Sequence, residues 1–233
     1  MKHYWDGPLP NPQERTIDEI RMVLADQGCS TSRPLYFMYR DLARSERDRA
    51  WLVSNAIRYD MTIIPPGLLN GEYVKTKGHY HPPAPSNGAY PELYQVLAGT
   101  AHFLLQHRGL DDVAVVSADA GEIVMIPPDY GHVSINPGTE DLVMANLVST
   151  AFESEYGEIE IMHGAAYYEF EGQRWEKNPH YSEVPPIRFL EAGDLNWNQT
   201  SGSIYDLIGE RETLSCLNHP EELTEYLSVF QRL

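Results

Sequence analysis

Two histidines one residue apart, His79 and His81, are followed by a carboxylate, Glu92, and by a later histidine, His132. In an extended segment, residues i and i+2 face the same side. His79 and His81 would therefore present their imidazoles together. Imidazoles grouped with a carboxylate form a common ligand set for Fe(II), Mn, Ni or Zn. Glu92 opens the run ELYQVL, which turns through AGT into AHFLLQ, and His132 follows IPPDYG at the head of another run. The reading is that His79, His81, Glu92 and His132 converge inside a barrel on one divalent cation per subunit. Tyr94, two residues past Glu92, would face the same cavity. Taken singly, each residue is ordinary, because a lone histidine in a strand is usually hydrogen-bonded or at the surface, and a lone glutamate is usually solvated. His3, His102, His107, His163, His180 and His219 keep that default reading. Joint spacing sets the four apart.

Such a constellation needs strands to carry it. From Ile57 to Leu147 the chain is a series of short β-rich runs: MTII, YVKT, LYQVL, AHFLLQ, VAVV, EIVMI, HVSI and LVMANLV. The words PPG, AGT, RGLDD, DAGE, PPDYGH and NPGTED punctuate them. Short strands at regular spacing with such turns argue for an all-β sandwich or barrel. Ahead of them, Ile17, Ile20, Val23 and Leu24 follow helical spacing between a capping Thr16 and a stopping Gly28. A weaker helix is expected from Leu42 to Leu52. Behind them, IRFLEAGDLNW holds one strand, and HPEELTEYLSVF reads as a helix with Pro220 in its first turn. The expected division is an arm and helices over 1–54, a barrel over 55–171 and an extension packed on it over 172–233.

The bulk properties narrow the function. The chain has 233 residues and a formal net charge of −17, with an isoelectric point near 4.8. Such a field repels nucleic acid and anionic membranes. A phosphate would have to be met locally, by a few cations and backbone N–H groups. Cys29 and Cys216 match no metal or redox spacing and read as free thiols. The first residues contain no apolar stretch resembling a signal peptide, and no run has the length of a membrane span. A soluble cytoplasmic protein is the expectation.

HYHPPAPSNGAYPELYQVLAG and GEIVMIPPDYGHVSIN together resemble the two halves of the cupin signature. One departure is the longer gap between His81 and Glu92, filled by PPAPSNGAYP, which a hairpin extension would absorb. TIIPPGLLNGEYVKTKGHYH, PELYQVLAG and VMIPPDYGHVSIN further resemble the archaeal-type, cupin glucose-6-phosphate isomerases, over about Thr62 to Tyr156. The resemblance implies a double-stranded β-helix (jelly-roll) barrel that interconverts glucose 6-phosphate and fructose 6-phosphate through a cis-enediol. It implies Glu92 as general base besides metal ligand, with Tyr94 beside it. It implies Thr62, Thr76 and the backbone of Gly78 as phosphate contacts and Tyr156 near the substrate. Lys75 and Lys77, flanking Thr76, would point the other way, onto a solvated face. Fe(II) is the preferred metal, with Mn, Ni and Zn open, and a homodimer that exchanges N-terminal arms is expected. Position 148, where the family tends to carry a tyrosine, holds Val148, which leaves room for another sugar phosphate. A metal-dependent cupin dioxygenase is the alternative chemistry, since the same ligands serve oxygen reactions.

Overall fold

The run Leu142–Ser149 is buried at every position. A strand with that pattern must be covered on both faces, and the architecture follows from this. The computed structural model describes residues 4–195, 197 and 202–233; His3 lies outside them, as does the start of the N-terminal arm. The strands are β1 (Gln13–Arg15), β2 (Tyr36–Tyr39), β3 (Ile57–Ile64), β4 (Leu68–Leu69), β5 (Glu72–Tyr73), β6 (Glu92–Ala98), β7 (Thr100–His107), β8 (Val113–Asp119), β9 (Ile123–Ile126), β10 (Tyr130–Ile135), β11 (Leu142–Ser149), β12 (Tyr167–Phe170), β13 (Arg174–Lys177) and β14 (Arg188–Glu191). The helices are α1 (Ile17–Ile20), α2 (Glu46–Ser54), α3 (Gly157–Ile161), α4 (Arg211–Leu214) and α5 (Thr224–Phe230). Among the described residues, no helix is long and apolar enough to cross a membrane.

The strands form three sheets: a six-stranded one in the order β1-β2-β3-β11-β6-β9, and two four-stranded ones in the orders β10-β7-β8-β14 and β13-β12-β5-β4. Among the described residues they do not join into one continuously hydrogen-bonded barrel. β14 pairs with β8 in parallel, whereas the other pairings are antiparallel. The six-stranded sheet and the β10-β7-β8 sheet share an apolar core that includes Val96, Phe103, Leu105, Val116, Val124 and Met144. Across this core the Tyr94 and Phe103 rings lie 5.2 Å apart.

The opposite face of the six-stranded sheet builds a second core. Ile57, Tyr59 and Met61 alternate outward on β3, Val143, Ala145 and Leu147 on β11, and Leu93 on β6. Ile204, Tyr205, Leu207, Leu214, Leu217 and Leu223 of the C-terminal segment cover them. Polar bonds fix the cover in register: Gln95 Nε2 donates to the Gly202 carbonyl (2.8 Å) and Tyr226 Oη to the Met125 carbonyl (2.9 Å).

Three sequence expectations are adjusted. The helix expected from Thr16 to Gly28 is only α1 followed by a 3₁₀ turn at Arg21–Val23. Arg21 Nη1 donates to the carbonyls of Gln27 and Cys29, and the Ala25 N–H is taken by buried Glu72 (2.8 Å). These tertiary bonds fold the chain back and override local propensity. The second helix starts later than Leu42, because Ser45 caps it by accepting from the Asp48 N–H (3.1 Å). The helix expected over HPEELTEYLSVF is a 3₁₀ turn at Pro220–Leu223 followed by α5.

Two outcomes are expected of the folded chain. Leu217 is fully buried in the outer core, so L217A should cost about 2–5 kcal/mol, read as a lower urea midpoint. Arg188 grips Asp112 with two bonds (2.8 and 2.6 Å), and Tyr130 Oη adds a third (2.6 Å). Burial works against the Asp112 charge, yet these donors hold its carboxyl below the ordinary 3.8. A depressed carboxyl stabilises above its unfolded value and loses that contribution as pH falls through the folded one. The stability gap between wild type and D112N should therefore be full at neutral pH and close below about pH 4.

Candidate metal centre

The register of the six-stranded sheet sets polar residues in rows on its inner face. Arg58, Val148 and Glu92 lie opposite one another across β3, β11 and β6; Asp60, Asn146 and Tyr94 form the next row. β10 delivers His132 from the facing sheet. The segment ahead of His79 is held to β10 by the bond from the Thr76 N–H to the Ser134 carbonyl (2.9 Å), and the His79 N–H donates to the His132 carbonyl (3.3 Å). Gly78 has φ +78°, and a Cβ there would sit 2.6 Å from Val133 Cγ2, so the close approach of this segment to β10 requires glycine.

One ligand atom from each of His79, His81, Glu92 and His132 lies within 4.8 Å of all the others. His79 Nε2 and His81 Nε2 are 3.1 Å apart, and Glu92 Oε2 is 3.3 Å from His81 Nε2 and 3.4 Å from His132 Nε2. His81 Nδ1 meets the Tyr90 carbonyl at 2.8 Å. A carbonyl can only accept, so the proton sits on Nδ1 and the Nε2 lone pair faces the cluster. Tyr90 belongs to the PPAPSNGAYP insert, which closes on itself through a Pro83–Ala89 bridge and is tied to Asp129 by the Ala89 N–H (2.9 Å). The insert thus absorbs the extra length and also orients a histidine.

Glu92 is held from behind. Asn146 Nδ2 donates to Glu92 Oε1 at 2.7 Å, while Oε2 is buried without a hydrogen-bond partner. An orphaned carboxylate oxygen among three imidazole nitrogens is the donor set of a divalent cation, and such a cation fits between these four residues. Burial opposes ionisation of Glu92, but His81, His132 and His79 around it hold its carboxyl well below the usual range. Burial, together with the neighbouring imidazoles, lowers His79 well below its ordinary value. Burial pushes His132 down to about 4, with Glu92 opposing and His81 adding to the shift. Glu92 is therefore held ionised and His79 and His132 neutral, the protonation states that metal binding needs. Burial, reinforced by Glu92, keeps the Tyr94 phenol protonated far above neutral pH; its hydroxyl lies 3.2 Å from His132 Nε2.

The cluster forms the floor of a pocket whose walls include Thr62, Thr76, Gly78, Tyr94, Val148 and Tyr156. All the site residues singled out in the sequence meet here. Lys75 and Lys77 depart from the expected solvated face. Lys75 is buried in an ion pair with Glu72, and Lys77 lines the pocket beside Thr76, its Nζ 5.1 Å from the centre of the Tyr156 ring. Strand β5 ends at Tyr73, so strict alternation does not extend through residues 75–78. Sequence reasoning missed Asn146 and three arginines of the pocket wall, Arg15, Arg40 and Arg58. A lone asparagine inside LVMANLV was a usable signal, since a buried amide must find partners.

The family profile described as glucose-6-phosphate isomerase matches residues 14–186. The chain belongs to the glucose-6-phosphate isomerase family. Glucose-6-phosphate isomerase of Thermococcus litoralis is 30% identical over 103 residues, 44% of this chain and 52% of that protein. The Sinorhizobium medicae glucose-6-phosphate isomerase is 33% identical over 91 residues, 39% of this chain and 40% of that protein. The matched part thus spans about half, or less, of these curated relatives' length. Among solved structures, an oxalate decarboxylase from Bacillus subtilis is 20% identical, with a TM-score of 0.35, covering 51% of this chain and 27% of that one.

Within this family member, Asn146 offers a direct check on the geometry. N146A should leave the chain folded and weaken its affinity for added Mn or Fe(II) by about 10–100-fold, read by metal titration. H81A and H132A should each lose stoichiometric metal after desalting, read by elemental analysis.

Proposed function

We propose that this chain is a metal-dependent aldose–ketose isomerase that interconverts glucose 6-phosphate and fructose 6-phosphate through a cis-enediol, on a cupin jelly-roll scaffold. The observation that carries the reading is the placement of the four-ligand cluster at the floor of a cation-lined pocket in a member of this family. A divalent cation held by His79, His81, Glu92 and His132, with iron(II) preferred, would supply Lewis-acid stabilisation of charge developing on the sugar's first two oxygens. The chain's own residues do the rest.

Glu92 acts as the general base. Its ionised carboxylate accepts a proton from C2 of the aldose and returns it to C1, and Asn146, fixed on Oε1, keeps Oε2 directed into the pocket. Tyr94 stays a neutral hydroxyl, a donor for a sugar oxygen or for Glu92. Thr62, Thr76 and the Gly78 backbone bind the phosphate, and Tyr156 closes the pocket over the sugar beside Lys77. A second reading, isomerisation of a different sugar phosphate, is favoured by Val148, whose short side chain lines the pocket without a hydrogen-bonding group.

The test is a sugar-phosphate panel assayed with Fe(II), Mn or Ni and again after chelation. Interconversion of the two hexose phosphates that chelation abolishes is expected. E92Q should lower kcat by about 10²–10⁴-fold while the chain stays folded. Exchange of solvent deuterium into C2 should accompany turnover. Full retention of substrate hydrogen would replace Glu92 as base with a hydride shift, and absence of turnover with any metal would overturn the isomerase reading.

A further inference from the structure

Arg15, Arg40, Arg58 and Lys77 all line the pocket, in a chain whose net charge is −17. They are not equally available. Lys77 Nζ is 2.6 Å from Glu160, and Arg15 Nη1 is 3.4 Å from Glu19. Arg40 and Arg58 share one carboxylate: Arg40 Nη1 and Arg58 Nε both reach Asp60 Oδ2, at 2.6 and 2.8 Å. Asp60 is fully buried, and its other oxygen accepts the Asp41 N–H at 2.8 Å. Two guanidinium groups on one carboxylate leave a surplus positive charge. Among the described residues Arg58 bonds only through Nε, so both of its Nη groups keep donors free, in the planar fork that suits a phosphate.

The position of this trio matters as much as its charge. Arg58 sits opposite Val148, which sits opposite Glu92. Two strand spacings, roughly 10 Å, therefore separate the backbone at Arg58 from the backbone at the proposed base. Val148 between them offers no donor, so an anion at this end of the row must draw its contacts from its neighbours. Thr62, on the same strand and face as Arg58 and Asp60, is one of them.

We propose that Arg58 and Arg40, braced on buried Asp60, form the charged clamp for the substrate's phosphate, with Arg58 supplying the free fork and Arg40 fixing its carboxylate support. The inference rests on the isomerase reading for its substrate but not for its test. Asp60 makes the clamp rigid: with its side chain immobilised by three donors, the guanidinium planes are set before substrate arrives. The clamp also gives the pocket a local attraction for a dianion that the exterior of the chain repels.

The decisive measurement is calorimetric binding of inorganic phosphate to the metal-loaded full chain. R58M should weaken phosphate binding by about 10–100-fold, the worth of hydrogen bonds to a charged group, and should flatten its dependence on salt. R58K, which retains the charge but not the fork, should fall between R58M and wild type, and it serves if R58M does not fold. In turnover, R58M should raise KM for the hexose phosphate far more than it lowers kcat, with metal content unchanged. Equal phosphate affinity in wild type and R58M, or no phosphate binding by wild type at millimolar concentration, would overturn the clamp. Phosphate binding that depends on Arg58 in a chain that isomerises no sugar would keep the clamp and remove the isomerase reading.

Discussion

The two-residue repeat of the six-stranded sheet is the constraint on which both the core and the site rest. On β3, β11 and β6, odd and even positions go to opposite faces. One set is Tyr59, Met61, Ala145, Leu147 and Leu93, and the other is Arg58, Asp60, Thr62, Asn146, Glu92 and Tyr94. A slip of one residue in any of these pairings would put a carboxylate or guanidinium into the outer core and an aromatic ring into the pocket. Burial of both faces makes that slip expensive. The register that brings Glu92 to His81 and His132 is thus enforced by apolar packing on the other side of the same strands.

The C-terminal segment enters the chemistry through that packing. Ile204, Tyr205 and Leu217 belong to the outer core and cover the outward rows that hold the register. Tyr205 Oη also accepts the Arg44 N–H (2.6 Å) and donates to Asp48 (2.9 Å), tying this cover to the start of α2. A buried polar layer does comparable work elsewhere. His102 on β7 meets Glu169 on β12, joining the small sheet to the strands of the core, and Lys75 meets Glu72 at the end of β5. Such pairs contribute little net stability, but removing one partner strands the other.

Charge in this protein is segregated by depth. The net charge is strongly negative, whereas the pocket gathers arginines and a lysine around three imidazoles and one carboxylate. The imidazoles around that carboxylate hold it well below its usual range. One ligand atom from each of the four side chains lies within 4.8 Å of the others, a grouping that could hold a cation.

The sequence alone picked out the four side chains that gather in the cluster, because H-x-H in extended chain, a strand-opening glutamate and a histidine after a PPDYG turn are patterns legible over a few positions. It also determined the succession of strands from Ile57 to Leu147, since turn residues and β-branched runs act over a few positions. It determined less of the helices: α1 is short because Glu72, forty-seven positions away from Ala25, captures its backbone N–H. Only the tertiary structure decided which face of IRYDMTII looks inward. Both faces are buried, so hydrophobicity gave no preference, and nothing local marked Arg58 and Asp60 as pocket residues. It likewise decided that Asn146 stands behind Glu92, that Tyr90 orients His81, and that Lys77 shares the pocket with Thr76. Each of these depends on which strand lies beside which, a long-range choice made by the packing of two cores and invisible to any local pattern.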